Sequence, residues 1–266
     1  MLRTILVICG VALYLTTTAQ YKYKNLVWYD EFNCSTGYAD TINWTYDNGD
    51  GCPNLCGWGN NEKQFYTNAR AENARVVDGK LIVEARKENI QGSGYSSARL
   101  VSKGKASWTY GRFEVRAKIP AGKGVWPAIW MLPTDWAYGN WPHSGEIDIM
   151  ENVGYWSDSL FGSVHTGDYN GMKNTQRTGS IHLNNMSGEY HTYTMEWTPD
   201  MIVFYADDKE YHRFNNEKTG SEAWPFDKAF HFVVNIAVGG NWGGKFGIDD
   251  SIFPQRMEID YIRVYQ

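Results

Sequence analysis

Three carboxylates stand inside one short run, Gly145-Glu146-Ile147-Asp148-Ile149-Met150-Glu151-Asn152-Val153-Gly154, that otherwise reads as a buried β-strand. Burying carboxylates is costly unless something compensates. Ile147 and Ile149 alternate with Glu146 and Asp148, so the two acids share one strand face. Continued alternation would give that face to Met150 and turn Glu151 away. One extra residue between Asp148 and Glu151, a β-bulge, returns Glu151 to the other two acids. Bulges recur beside active sites because they re-aim a side chain.

With the bulge, Glu146 and Glu151 are four strand positions apart, about 13 Å between Cα atoms at roughly 3.3 Å per residue. Side chains leaning inward bring the carboxyls to about 5–6 Å. That is near the roughly 5–5.5 Å of a retaining glycosidase and short of the roughly 6.5–9.5 Å of an inverting one. Glycosidic cleavage needs a proton for the leaving oxygen and a partner for the charge at the anomeric carbon. Glu146 is assigned as nucleophile and Glu151 as general acid, then general base. Asp148, between them, would hydrogen-bond Glu146 and help Glu151 hold its proton through its negative charge. A solvated acidic strand edge is the plain alternative. A calcium site is another, although alternate strand positions do not wrap an ion as a loop does.

The elements around this strand must supply the sugar contacts. Trp126 and Trp130 in Trp126-Pro127-Ala128-Ile129-Trp130 face one side of a strand. They read as stacking platforms for sugar rings, or else as two core tryptophans. Trp136 and Trp141 lie in a following loop with Tyr138, where they line the cleft or brace it. His165 ends the strand-like run Phe161-Gly162-Ser163-Val164-His165. It can reach Asp148 or a sugar hydroxyl if that strand neighbours the acid strand; a structural histidine is the alternative. No GxSxG elbow, HExxH pair or phosphate-binding GxxxxGK[ST] loop is present.

Composition narrows the partner. Aromatic residues make up 15% of the chain, which suits pyranose faces but also suits plain β-sheet. The net charge is −5, and −6 without Arg3. This disfavours nucleic acid and anionic membranes and is compatible with a neutral polymer. Residues 1–19 read as a secretory signal: Arg3, an apolar stretch from Ile5 to Leu15, and cleavage after Ala19. The apolar stretch is too short to span a membrane. Of the remaining cysteines, Cys52–Cys56 is the first choice for a bridge, with Cys34 paired to one of them as the alternative. Asn33, Asn43 and Asn185 each begin an N-x-S/T sequon.

Residues 20–266 read as a single domain without a linker or repeat. Phe113, Val115, Ala117 and Ile119 give one alternating strand its core face. Lys80 to Ala85 and Tyr193 to Trp197 are similar. Met201 to Ala206 and Glu210 to Phe214 flank a hairpin connection at Asp207-Asp208-Lys209. His231 to Val238 reads as a buried strand, and Met257 to Val264 shifts its alternation near Tyr261 as a second bulge would. Helical periodicity is absent. The pattern predicts an all-β, two-sheet antiparallel sandwich whose concave face holds an extended polymer.

Glu146-Ile147-Asp148-Ile149-Met150-Glu151 resembles the bulged ExDxxE signature of glycoside hydrolase family 16. Further blocks resemble its laminarinase-like members: Asp30-Glu31-Phe32, Gly59-Asn60-Asn61-Glu62, Tyr110 to Glu114, Trp126 to Pro133, Asn235 to Trp242 and Asp260 to Tyr265. The resemblance implies a β-jelly-roll sandwich and retaining endo-hydrolysis of β-1,3-glucan, with Glu146, Asp148 and Glu151 in the roles given above. It places Trp126, Trp130, Asn60, Arg99 and His165 in or near the cleft; Trp141 and Trp242 are expected to join them as substrate contacts. It also suggests a structural calcium held by the backbone at Glu31 and Gly79 and by Asp260; an ion pair of Asp260 with Arg256 or another base is the alternative. No cofactor is expected for catalysis, and a secreted monomer is. Other readings are a mixed-linkage glucan or a galactan such as agar or carrageenan as substrate, and a non-catalytic glucan-recognition protein. The three intact acids argue against the last.

Overall fold

Strands with one apolar face must pair that face with another, and here they do so in two layers. The computed structural model describes residues 21–33 and 37–266. The expected signal segment and Cys34 lie outside the described residues. In chain order the strands are β1 (Leu26–Asp30), β2 (Thr45–Asp47), β3 (Gln64–Tyr66), β4 (Ala74–Val77), β5 (Lys80–Ile90), β6 (Ser93–Ser97), β7 (Arg99–Val101), β8 (Gly111–Lys118) and β9 (Val125–Pro133). They continue as β10 (Glu146–Glu151), β11 (Ser159–His165), β12 (Arg177–His182), β13 (His191–Trp197), β14 (Met201–Ala206), β15 (Lys209–Asn215), β16 (Phe230–Val238) and β17 (Gln255–Tyr265). Helix among the described residues is limited to short 3₁₀ turns.

The outer sheet has 10 strands, ordered β15-β14-β13-β8-β17-β5-β6-β3, with β1 on β17 and β4 on β5. The inner sheet has 7, ordered β12-β11-β10-β9-β16-β7-β2. Pairing is antiparallel except between β3 and β6. This is the all-β jelly-roll sandwich, with the cleft on the free face of the inner sheet. The core lies between the layers. Phe113, Val115 and Ala117 of β8 and Met195 and Trp197 of β13 meet Ile129, Met131, Ile147 and Phe232 from the other side. β16, an interior strand of the inner sheet, is buried at every position, as its nearly continuous apolar run requires.

Local details follow the sequence with two adjustments. The β14–β15 hairpin turns on two residues, Asp207 and Asp208, at φ 46° and 64°, and Lys209 already belongs to β15. Two left-handed residues match the twist of a two-residue hairpin, which is why short acidic side chains serve there. The β17 register shifts between Ile259 and Tyr261, so the second bulge is present and Asp260 sits in it. Its carboxylate pairs with Arg116 on β8, whereas Arg256 reaches Glu84. Glu31 is held by Arg263 through two hydrogen bonds of 2.7 and 3.0 Å. Gly79, at φ +70°, closes the turn from β4 to β5. With Asp260 neutralised by a guanidinium, this group does not fit a calcium site as it stands. Cys52 and Cys56 are bridged, tying a tight loop ahead of β3.

Candidate active site

β10 carries the acids, and its bulge sets their direction. Asp148 and Glu151 oppose Ser163 and Phe161 on β11, so three residues of β10 span two of its neighbour. The same shift appears against β9, where Asp148 and Glu151 oppose Trp130 and Ala128. Ile149 and Met150 are consecutive, yet both are buried in the core. Spending two residues on the core face returns Glu151 to the cleft with Glu146 and Asp148, as the spacing predicts. The bland reading, a solvated acidic edge, is excluded: β10 is an interior strand and Asp148 is 4% exposed.

Each outer acid is held by a tryptophan. Trp141 Nε1 donates to Glu146 Oε2 at 2.9 Å, and Trp126 Nε1 donates to Glu151 Oε1 at 2.8 Å. His165 lies opposite Glu146 across the β10–β11 pair. Its Nε2 is 3.3 Å from Asp148 Oδ2 and 3.8 Å from Glu146 Oε1. Among the described residues no other donor serves that oxygen of Asp148. The Gly171 N–H approaches His165 Nδ1 at 3.3 Å, which favours a neutral ring. The carboxylates favour the imidazolium, and they win. A neutral hydrogen bond contributes about 1 kcal/mol net, against about 5 kcal/mol for opposite charges at this separation and an effective dielectric of about 20.

The titrations follow from this crowding. Burial, then the Asp148 charge, push Glu151 up to about 8; the Trp126 hydrogen bond and His165 pull the other way. Burial and Asp148 also push Glu146 up to about 7, against His165, Trp141 and Arg99. For His165, burial lowers the pKa, but the Asp148 hydrogen bond and the surrounding carboxyls outweigh it and raise it to about 9. Between about pH 7 and 8 the favoured state is therefore an ionised Glu146 beside an imidazolium and a protonated Glu151. Glu146, Asp148 and His165 are close enough together to hold a cation, but a ring protonated on Nε2 is not a ligand. The arrangement can donate one proton and present one carboxylate on the same cleft face.

The residues expected to contact substrate form a second network. Trp130 Nε1 donates to Asn235 Oδ1 at 2.7 Å, and Asn235 Nδ2 donates to Tyr66 Oη at 3.0 Å. The Arg99 guanidinium lies between two indoles, 4.5 Å from Trp58 and 4.9 Å from Trp130, and its Nε is 2.9 Å from Asp47. Asn60 Nδ2 donates to Glu62 at 3.3 Å. Trp126 and Trp242 meet edge to face at 5.6 Å. Trp126, Trp130, Arg99 and His165 stand on strands of the inner sheet, and Asn60, Trp141 and Trp242 on loops beside it. Trp126 is not a plain platform, since its N–H is committed to Glu151.

Glu62, Gln64, Trp58 and Tyr66 complete this wall but carry no signal as individual site residues in the sequence. Glu62 accepts from Gln64 at 2.6 Å and from Tyr66 at 3.3 Å. Burial raises its pKa against these hydrogen bonds and the charge of Arg99. The one available cue was position: Glu62 closes the Gly59-Asn60-Asn61-Glu62 block.

A two-layer β-sandwich presenting differently protonated carboxyls in an aromatic cleft defines a polysaccharide-cleaving glycosidase. The family model of glycosyl hydrolases family 16 matches residues 61–263, and the chain belongs to this family. Over 248 residues it is 54% identical to a "Beta-glucanase" of Rhodothermus marinus, covering 91% of this chain and 85% of that protein. It is 40% identical to "Glucan endo-1,3-beta-glucosidase A1" of Niallia circulans, covering 91% of this chain and 38% of that longer protein. The solved laminarinase from Rhodothermus marinus superposes with a TM-score of 0.87 at 51% identity, over 91% of this chain and 97% of that one.

Proposed function

We propose that the protein is an endo-acting, retaining β-1,3-glucanase. The observation that carries this reading is the bulge of β10, which turns Glu151 onto the face of Glu146 and Asp148. The names of its relatives, and an aromatic wall whose one guanidinium, Arg99, is paired with Asp47, support a neutral glucan as substrate.

In the first step the Glu146 carboxylate attacks the anomeric carbon. The glycosidic C–O bond breaks as the Glu151 proton passes to the leaving oxygen. In the second step Glu151, now a carboxylate, takes a proton from water. The water oxygen attacks the anomeric carbon and the ester to Glu146 breaks. Loss of the first proton leaves Glu151 charged beside Asp148, and the Trp126 N–H and His165 stabilise that state. Trp141 and His165 fix the nucleophile's orientation.

Secretion after cleavage at Ala19 and a monomeric state are part of the proposal. Incubation with laminarin, mixed-linkage glucan, agarose and carrageenan tests the substrate. Short oligosaccharides from laminarin with β-anomers formed first support the reading. Cleavage of a galactan instead would keep the carboxylate chemistry and overturn the specificity.

A further inference from the structure

Aromatic rings continue outward past Glu151. Phe161 stands directly opposite Glu151 in the β10–β11 register, so both side chains rise from the same face. Trp242 meets Trp126 at 5.6 Å and Phe161 at 5.1 Å. Trp156 lies 6.0 Å from Phe161 with the rings tilted by 34°. Tyr155 joins Trp156 at 5.2 Å and Phe246 at 4.8 Å. The outermost rings are open to solvent: Trp156 is 46% exposed and Phe246 is 56% exposed.

These rings are held in place although the core gains nothing from them. Tyr155 Oη donates to the Trp242 carbonyl at 3.2 Å. Asn152, fully buried, donates from Nδ2 to the carbonyls of Trp156 and Ser159, each at 2.9 Å. The turn Gly154–Trp156 packs so closely on the approach to β9 that a Cβ on Gly154 would lie 2.1 Å from the Gly122 carbonyl oxygen. A fixed, exposed aromatic strip continuous with a binding cleft marks a ligand surface.

We propose that Trp156, Phe161 and Phe246, framed by Tyr155, bind the β-glucan chain on the leaving-group side, two or more sugars beyond the scissile bond. This rests on the β-1,3-glucanase reading and on Glu151 as the acid, because the leaving oxygen begins at the group that protonates it. The rings are uncharged and present flat faces, so the ligand is a neutral polysaccharide. The same surface receives an incoming chain once the glycosyl-enzyme has formed. Its hydroxyl oxygen then attacks the anomeric carbon, the bond to Glu146 breaks, and the hydroxyl proton goes to Glu151. The strip therefore favours transfer to sugar over hydrolysis.

Trp156→Ala, Phe246→Ala and the double variant test this against wild type on laminari-oligosaccharides of increasing length, on laminarin and on a short aryl β-glucoside. The expected result is a loss that grows with the number of leaving-side sugars, reaching roughly tenfold in kcat/KM on laminarin for the double variant. The loss falls mainly on KM, because the strip binds ground and transition states alike. Transfer products fall relative to hydrolysis, and Trp156→Phe restores part of both. Losses independent of chain length, or none, would overturn the inference. If wild type leaves laminarin intact and cuts another glucan, the substrate reading fails by itself and the length series is run on that polymer.

Discussion

Asp148→Asn keeps the shape of the side chain and removes its charge. Asp148 Oδ2 lies 3.3 Å from His165 Nε2, where opposite charges attract by about 5 kcal/mol at an effective dielectric of about 20. Burial of the ring offsets part of this, Glu146 and Glu151 add to it, and the net effect is the rise of the His165 pKa from 6.5 to about 9, about 3.5 kcal/mol at about 1.4 kcal/mol per unit. The variant forfeits most of that, so His165 titrates roughly two units lower. Glu146 and Glu151 lose the same negative neighbour and ionise at lower pH. The assay is the pH dependence of kcat/KM on laminarin, with the His165 ring followed by NMR. Wild type needs Glu146 ionised and Glu151 protonated, giving limbs near 7 and 8 that belong to the cluster as a whole. In the variant both limbs move toward acid, and activity at alkaline pH suffers most. An alkaline limb that stays in place or moves upward in a folded variant would refute the electrostatic account.

Folding stability carries the same signature. His165 is raised, so its contribution is complete below its unfolded value of 6.5 and disappears as pH rises through about 9. Glu146 and Glu151 are raised above 4.5, so the fold favours their protonated forms and loses stability as pH climbs through about 7 and 8. These three groups therefore pull Tm down as pH rises from about 6 to about 9, and Asp148→Asn flattens the decline.

Glu146→Gln lowers turnover by several orders of magnitude and retains laminarin binding; near-normal rates would remove Glu146 as nucleophile. Glu151→Ala costs roughly 10²–10⁴-fold on laminarin and less on aryl substrates that need no proton; equal losses on both would argue against an acid role. Cys52→Ser opens a loop of 4 residues' separation and destabilises by about 2 kcal/mol in the chain-entropy account, read from denaturant unfolding. Because Asp260 is paired with Arg116, chelation leaves Tm unchanged; a fall reversed by calcium would restore the metal reading.

What could be read from the sequence was local. The three acids are neighbours along the chain, so alternation alone exposes the misfit at Met150 and calls for the bulge. The same holds for Asp260, where the pattern of β17 slips, and for the Cys52–Cys56 loop. The partner of Asp260 was not legible, because Arg116 reaches it across a strand pair that only the topology creates. Glu62, Gln64 and Tyr66 were missed for the same reason. Tyr66 and Gln64 bond Asn235 and the Val238 backbone, far along the chain, and Glu62 is drawn into the wall through them, whereas a lone acid near a short strand is usually a solvated one. The Trp156 strip reads as scattered aromatics until β10, β11 and the Trp242 loop converge.

The bulge is enforced from behind the cleft. Ile149 and Met150 are both buried in the core. Slipping β10 by one residue would expose Met150, costing about 2 kcal/mol. It would also press Glu151 into a layer of aliphatic and aromatic side chains, costing several more unless the acid stayed protonated. Core packing, not the tryptophan hydrogen bonds, therefore fixes which face Glu151 takes. Trp126 and Trp141 then set only the final orientation of each carboxyl. Substitutions on the cleft wall can change which sugar is held without moving the acids, whereas a polar residue at Met150 releases the constraint that aims Glu151. That division of labour lets one strand keep its chemistry while the surrounding aromatic surface sets the reach of the binding site.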